Sequence, residues 1–173
     1  KVAIVTVNAS GIGAAVCQRL AAEGARVAIA DLNGERAAAL AREIGSAALA
    51  VQFDAGDEAS IRNMVETAVR HFGALHILHN NAAASGPEVM GRDFDVLTMD
   101  VSVWDAAFAV NLRAMMLTCK HALPTMIDQG KGAIVNISSN SALAGDLSRV
   151  AYGATKGGVN SLTMYIATMY GKQ

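Results

Sequence analysis

The sequence predicts a doubly wound α/β fold, a parallel sheet with helices on both faces. Three observations carry that prediction. Short apolar runs alternate with helical patterns along the whole chain, and no linker interrupts them. The runs are apolar at successive positions, as strands covered on both faces require. A glycine-bearing turn separates the first run from the first helical pattern, the place where such folds receive phosphates.

Taken in order, Val2–Val7 is a β-branched run and Ile12–Gly24 a helical pattern with Ala, Val and Leu on one side. Arg26–Ala30 is a second run, closed by Asp31, and Gly34–Ile44 an Ala-rich helix. Ala47–Phe53 is a third run, after which Asp57 reads as the N-cap of a helix through Phe72. Leu75–His79 is the fourth run, and the Ser102–Asp105 capping-box pattern opens a helix toward Ile127. Ala133–Ser138 is the fifth run, followed by a helix from Ala151 to Tyr170. Ala84–Val101 breaks the rhythm. It holds Gly86-Pro87 and four acidic residues and reads as a surface excursion that could line a site. Right-handed crossovers turn this order into one domain over residues 1–173.

The 173 residues suffice for a domain with its own core, and 53% of them are apolar. The net charge of −1 gives no field to attract nucleic acid or an anionic membrane, and no basic patch is visible. No apolar run approaches the roughly 18 residues of a membrane span. No secretory signal is recognisable, and Cys17 and Cys119 stand far apart, outside any metal-ligand spacing. They are expected to be buried free thiols in a cytoplasmic protein. His71, His76, His79 and His121 are scattered without metal spacing, so no metal site is expected.

The segment Thr6-Val7-Asn8-Ala9-Ser10-Gly11-Ile12-Gly13 is the candidate phosphate turn. Glycine lets backbone N–H groups approach a pyrophosphate, and the helix N-terminus adds partial positive charge. Asp31 stands 18 residues after Gly13, where a carboxylate accepts both ribose hydroxyls of an adenosine and repels a 2′-phosphate. That arrangement favours NAD over NADP. Without the turn, Asp31 would read as an ordinary loop carboxylate.

With Asn80-Asn81-Ala82-Ala83, Asn111 in Val-Asn-Leu-Arg, Ser139 in Asn-Ile-Ser-Ser and Tyr152-Gly-Ala-Thr-Lys156, the chain resembles the short-chain dehydrogenase/reductase family over nearly its whole length. The resemblance implies a Rossmann-like fold and hydride transfer between NAD(H) and a secondary alcohol or ketone. Asn111, Ser139, Tyr152 and Lys156 would form the catalytic tetrad. Ser10, Gly11, Ile12, Gly13, Asp31, Asp54, Asn80 and Ala82 would hold the cofactor together with Tyr152 and Lys156. Asp54 resembles the residue that meets the adenine amino group, and Asn80 one on the adenosine ribose side. A homodimer or homotetramer is also implied, since the helices matching Ala106–Ile127 and Ala151–Tyr170 often pack against partner copies.

The chemistry suits these residue types. A free phenol titrates near pH 10, too high for a base at neutrality. Lys156 lies one helical turn beyond Tyr152, and its charge favours the phenolate. Ser139 follows the fifth run, where its hydroxyl can polarise a substrate oxygen. Asn111 would hold a water linking Lys156 to solvent. Singly, each residue is ordinary: a Tyr–Lys pair on a helix surface, a serine at a loop start, a polar side chain within a helix. Ser138 is an alternative to Ser139, but the spacing of 13 to Tyr152 favours Ser139.

Two departures from the family stand out. Val7 and Ala83 replace glycines; Val is stiff, disfavours positive φ, and its methyls are expected to crowd an adenosine ribose. The sequence also ends at Gln173, where the family continues with a sixth strand, a Pro-Gly cofactor contact, a substrate lid and a seventh strand. Neither Pro87 nor Pro124 precedes a glycine. The expectation is a C-terminally incomplete chain with its last strands missing and the fifth strand as an open edge. The alternative function is a catalytically impaired nucleotide-binding or interaction module of the same fold. An epimerase of the wider superfamily ranks below both.

Overall fold

A computed structural model describes residues 1–7 and 11–173. The chain divides into two compact units, one formed by residues 1–82, 117–135 and 173, the other by 83–116 and 136–172.

The first unit is built on a five-stranded sheet. Its strands are β1 (Val2–Thr6), β2 (Arg26–Asp31), β3 (Ala48–Gln52), β4 (Ile77–Asn80) and β5 (Ala133–Asn136), in the order β3-β2-β1-β4-β5. β1 pairs in parallel with β2 and β4, and β2 with β3. The register sets Val5 opposite both Ile29 and His79. Ala3, Val5, Val7, Val27 and Ile29 share a core with Cys17, Ala37 and Leu40, which come from α1 (Gly11–Ala22) and α2 (Gly34–Ile44). The strand period of two turns Val2, Ile4 and Ala28 to the opposite face, and these too are wholly buried. That face is served by α3 (Glu58–Phe72), whose Ile61, Met64, Val65, Ala68 and Phe72 are buried. This is the sandwich of helices about a continuous apolar sheet that the runs predict.

Local chemistry sets the ends of these elements. Asp57 caps α3 by accepting from the amides of Ala59 and Ser60, and Gly73 at φ 77° ends it in the left-handed region. β4 begins at Ile77 rather than Leu75 because the Gln129 side chain engages both the amide and the carbonyl of Leu75, at 3.1 and 2.7 Å. β5 forms an edge of the sheet, with Ala133 and Val135 exposed. Cys17 and Cys119 are buried free thiols; burial raises their pKa to about 12 and about 11.

The second unit is helical. α4 (Val101–Phe108) leads into a π turn, Ala109–Arg113, and then into α5 (Ala114–Asp128), which runs on into the first unit. α6 (Val150–Tyr170) packs on α4 and on the π turn. The single helix expected from Ser102 to Ile127 is therefore interrupted. Its start also differs: Asp100, not Ser102, is the N-cap, its carboxylate accepting from the Ser102 amide at 2.9 Å and the Ser102 hydroxyl at 2.7 Å. A charged acceptor two positions earlier takes the role the serine would have had. Residues 84–101 are only partly a surface excursion. Val89 is buried with Val103, Ala107 and Ala151, and Asp93 is 2% exposed, while Val96 and Leu97 stand in solvent.

Candidate active site

In the first unit, the carboxyl ends of the strands gather the residues expected to hold a nucleotide. Asn8, Ala9 and Ser10 lie outside the described residues. Gly11 opens α1 at φ 63°, which a side-chain-bearing residue adopts only under strain, and Ile12 is exposed beside it. Gly13 is buried, and a Cβ there would stand 2.6 Å from Val7 Cγ1 and 2.8 Å from Asn81 Nδ2. Only glycine lets the first turn of α1 come this close to the ends of β1 and β4. A cradle of that kind fits a pyrophosphate approached by backbone amides.

Val7 explains the closeness. Its amide donates to Ala30 O at 2.8 Å, its side chain is 1% exposed in the core shared with Val5 and Cys17, and it does not carry a positive φ. The valine thus packs into that core. Val7→Gly is expected to destabilise the protein by about 2–3 kcal/mol, from lost burial and added chain freedom. Urea unfolding of the two proteins measures it.

Asp31 ends β2 and is 4% exposed, with one carboxylate oxygen accepting from the Asn33 amide at 2.7 Å. Asp54 follows β3 on the surface, and its Oδ1 accepts from the Gly56 amide at 2.7 Å. Asn80 is buried at the end of β4. Its Oδ1 accepts from the Thr118 hydroxyl at 2.8 Å and its Nδ2 lies 3.6 Å from Cys119 Sγ, so this side chain ties β4 to α5. The amides of Asn81 and Ala82 both donate to Thr6 Oγ1, at 3.0 and 3.1 Å. Thr6 is thus the latch between the ends of β1 and β4, a role its place in the turn motif does not reveal.

The second unit brings together the four candidate catalytic side chains. Asn111 sits in the π turn and is 1% exposed. Its Oδ1 accepts from the Ala84 amide at 2.8 Å, and its Nδ2 reaches Thr155 Oγ1 at 3.4 Å. Thr155 in turn donates to Tyr152 O at 2.7 Å. The extra residue of a π turn re-aims side chains out of the helical register, which swings Asn111 toward α6. Tyr152 and Lys156 lie one turn apart on α6, with Lys156 Nζ 5.5 Å from the centre of the Tyr152 ring. Nζ donates to Ile137 O at 2.6 Å and is wrapped in the unit, the residue being 1% exposed. Burial pulls its pKa down to about 8. β5 ends at Asn136 rather than Ser138, and the carbonyl of Ile137 just beyond it accepts the bond from Nζ.

Ser138 and Ser139 now separate. Ser138 Oγ donates to the Lys156 carbonyl at 3.3 Å and so joins the loop to α6. Ser139 Oγ accepts from the Ser141 amide at 3.2 Å and heads a short turn, Asn140–Ala142. The Ser141 carbonyl lies 3.2 Å from where a Cβ on Gly153 would stand, so that turn rests closely on α6 beside Tyr152. The arrangement offers a phenol, an adjacent buried ammonium and a nearby hydroxyl, the parts needed to move a proton at a polarised oxygen.

Asp93 takes a part that the sequence did not disclose. Its two carboxylate oxygens accept from the amides of Ala151 and Tyr152, at 2.9 and 2.8 Å, and its carbonyl accepts from Arg149 at 2.8 Å.

Comparison with known proteins identifies the family. The family model described as short chain dehydrogenase matches residues 1–173. A probable short-chain type dehydrogenase/reductase of Bradyrhizobium diazoefficiens is 42% identical over 99% of this chain and 61% of its own length. The 7alpha-hydroxysteroid dehydrogenase of Bacteroides fragilis is 36% identical over 100% of this chain and 67% of its own. The cis-4-hydroxycyclohexanecarboxylate dehydrogenase of Sinomonas cyclohexanicum is 37% identical over 98% and 68%. The chain thus spans about two thirds of the length of these relatives, and it belongs to the short-chain dehydrogenase/reductase family.

Proposed function

We propose that the protein is an NAD-dependent oxidoreductase that interconverts a secondary alcohol and its ketone, with Tyr152 as the acid/base. The observation that carries this reading is the pairing on α6, where the Lys156 ammonium is buried 5.5 Å from the Tyr152 ring. The pair sets a positive charge beside a hydroxyl that can exchange a proton with a substrate oxygen. In the oxidative direction Tyr152 Oη takes the hydroxyl proton of the alcohol, and in the reductive direction it returns a proton to the ketone oxygen. Ser139 Oγ donates a hydrogen bond to that oxygen. Asn111 holds the backbone at Ala84 on one side and Thr155 on the other. The nicotinamide, when bound, supplies or receives the hydride.

We assign Ser10, Gly11, Ile12, Gly13, Asp31, Asp54, Asn80, Ala82, Tyr152 and Lys156 to the cofactor. Of these, Gly13 argues for a pyrophosphate and Asp31 for an unphosphorylated ribose. Asp31→Ser is expected to weaken NADH binding about 10- to 100-fold, the loss of a charge-assisted bond pair, and to narrow the preference over NADPH. Calorimetric titration with each nucleotide measures both.

The substrate we infer is a small molecule with an apolar, ring-bearing body. Phe94, Val96 and Leu97 on one segment, and Leu143 and Leu147 on another, are exposed apolar side chains near the ends of the elements that bear the site. Two relatives are named as dehydrogenases of a 7alpha-hydroxysteroid and of cis-4-hydroxycyclohexanecarboxylate, compounds whose hydroxyl sits on a ring. Oxidation of cyclic secondary alcohols with NAD, followed at 340 nm and compared with open-chain alcohols, tests the reading; no turnover with any of them overturns it.

We further infer a homodimer or homotetramer. A largely apolar groove on the second unit, lined by Phe108, Ala109, Leu112, Met116 and Leu162 together with Asp105 and Arg113, is the face we assign to a second copy. No helix among the described residues is long and apolar enough to cross a membrane. With two buried free thiols, a reducing cytoplasm is the compartment we favour.

A further inference from the structure

The start of α6 is capped from far away in the chain. Its N-cap position, Arg149, sits at φ 67° and ψ 43°, a left-handed conformation that costs a side-chain-bearing residue energy, and offers no side-chain bond to the helix. Helices ordinarily satisfy their first amides with a side chain of the N-cap residue itself. Here the acceptor is Asp93, 58 residues before Ala151. One carboxylate oxygen takes the Ala151 amide and the other the Tyr152 amide, while the Asp93 carbonyl takes the Arg149 amide. Three anchor points across the first turn, at Arg149, Ala151 and Tyr152, thus converge on one residue that is 2% exposed. The Arg149 side chain is turned away into an ion pair with Asp146.

We propose that Asp93 is a positioning residue for Tyr152, its carboxylate clamping the tyrosine backbone and tying residues 84–101 to the first turn of the catalytic helix. The clamp does two things that a cap at Arg149 would not. It fixes the tyrosine by its own amide, so the phenol swings only about its side-chain torsions. It also makes the tyrosine's place depend on the conformation of the 84–101 segment, which bears the exposed apolar residues Phe94, Val96 and Leu97. Asp93 does not touch the reacting atoms; it acts through Tyr152.

This inference rests on the assignment of Tyr152 as the acid/base, and the test separates the two. Asp93→Asn keeps one acceptor but turns an amide N–H against a helix N–H; Asp93→Ala removes both acceptors. Both are compared with wild type in the full chain, with turnover expressed per NADH-binding site so that loss of folded protein does not count. The expected result is a fall in kcat of about 10-fold for Asp93→Asn and about 100-fold for Asp93→Ala, the scale of a misplacement near 1 Å, with NADH affinity unchanged. If Asp93→Ala does not fold, Asp93→Asn decides. A purely structural cap would lower the unfolding midpoint and leave kcat per site unchanged, and that result overturns the proposal. A second readout does not depend on turnover. With tyrosine labelled at ring carbon, the Tyr152 resonance, assigned by its loss in Tyr152→Phe, is expected to shift or broaden in Asp93→Asn while Tyr165 and Tyr170 stay in place. An unmoved Tyr152 resonance overturns the clamp whatever the activity, whereas a Tyr152→Phe protein as active as wild type overturns only the chemistry assigned to the tyrosine.

Discussion

Tyr152→Phe is expected to lower kcat by about 10²- to 10⁴-fold while leaving NADH affinity and the unfolding midpoint where they were. The change removes one oxygen and nothing else. The backbone bonds that hold the residue, from its amide to Asp93 and from its carbonyl to Thr155, are untouched. The ring remains beside Lys156, so the packing that buries the ammonium also remains. What is lost is the only group in the proposed scheme that exchanges a proton with the substrate oxygen. Ser139 donates to that oxygen but has an acidity too weak to replace a phenol, and its Oγ is engaged with the Ser141 amide. Steady-state kinetics with a cyclic alcohol from pH 6 to 10, alongside calorimetry with NADH, reads both. A residual kcat within tenfold of wild type would mean that some other group carries the proton.

Much of the fold and part of the site were legible in the sequence, for identifiable reasons. The strands of the sheet could be read because each is apolar on both faces, and Asp57 because a carboxylate just before an apolar helical pattern has one obvious use. Residue types recurring in order, Asn111, Ser139, Tyr152 and Lys156, pointed to one chemistry, and the fold gathers them in one unit. What escaped was information carried by direction and by distance. Val7 seemed a threat to the nucleotide because its identity was known but the aim of its side chain was not; it points into the core and forces Gly13 to be glycine. Ser102 looked like a cap because its hydroxyl was in the right place, but Asp100 offers a charged acceptor nearby. The π turn at Ala109–Arg113 has no composition of its own, since Ala-Val-Asn-Leu-Arg would serve equally well in an α-helix. Asp93 is one of four acids in a polar stretch, and nothing local distinguishes the one whose partners lie 58 and 59 positions later.

Lys156→Met is expected to stabilise the protein at pH 7 by about 1–3 kcal/mol and to abolish turnover. Lys156 is 1% exposed, and its pKa is drawn from 10.5 to about 8 by burial. Below pH 8 the lysine is charged in both the folded and the unfolded chain, so the full cost of burying the ammonium is present. As the pH rises from about 8 toward 10.5, the folded protein releases the proton while the unfolded chain still holds it, and the cost is progressively relieved. Methionine has a similar length and no charge to bury. Against the gain stands the bond from Nζ to Ile137 O at 2.6 Å, whose loss leaves that carbonyl without the ammonium and takes back about 1 kcal/mol or more. The net effect still favours methionine at neutral pH, and it should shrink as the pH is raised to 10. Denaturant unfolding of the two proteins at pH 7 and pH 10 measures the difference. A methionine variant less stable than wild type at both values would mean that the lysine's hydrogen bonding outweighs its desolvation, and that the ammonium is held by the fold rather than tolerated for chemistry. A variant more stable at pH 7 and inert in turnover would identify Lys156 as a charge the protein buries at the expense of its own stability, which is the signature of a group retained for what it does to its neighbour.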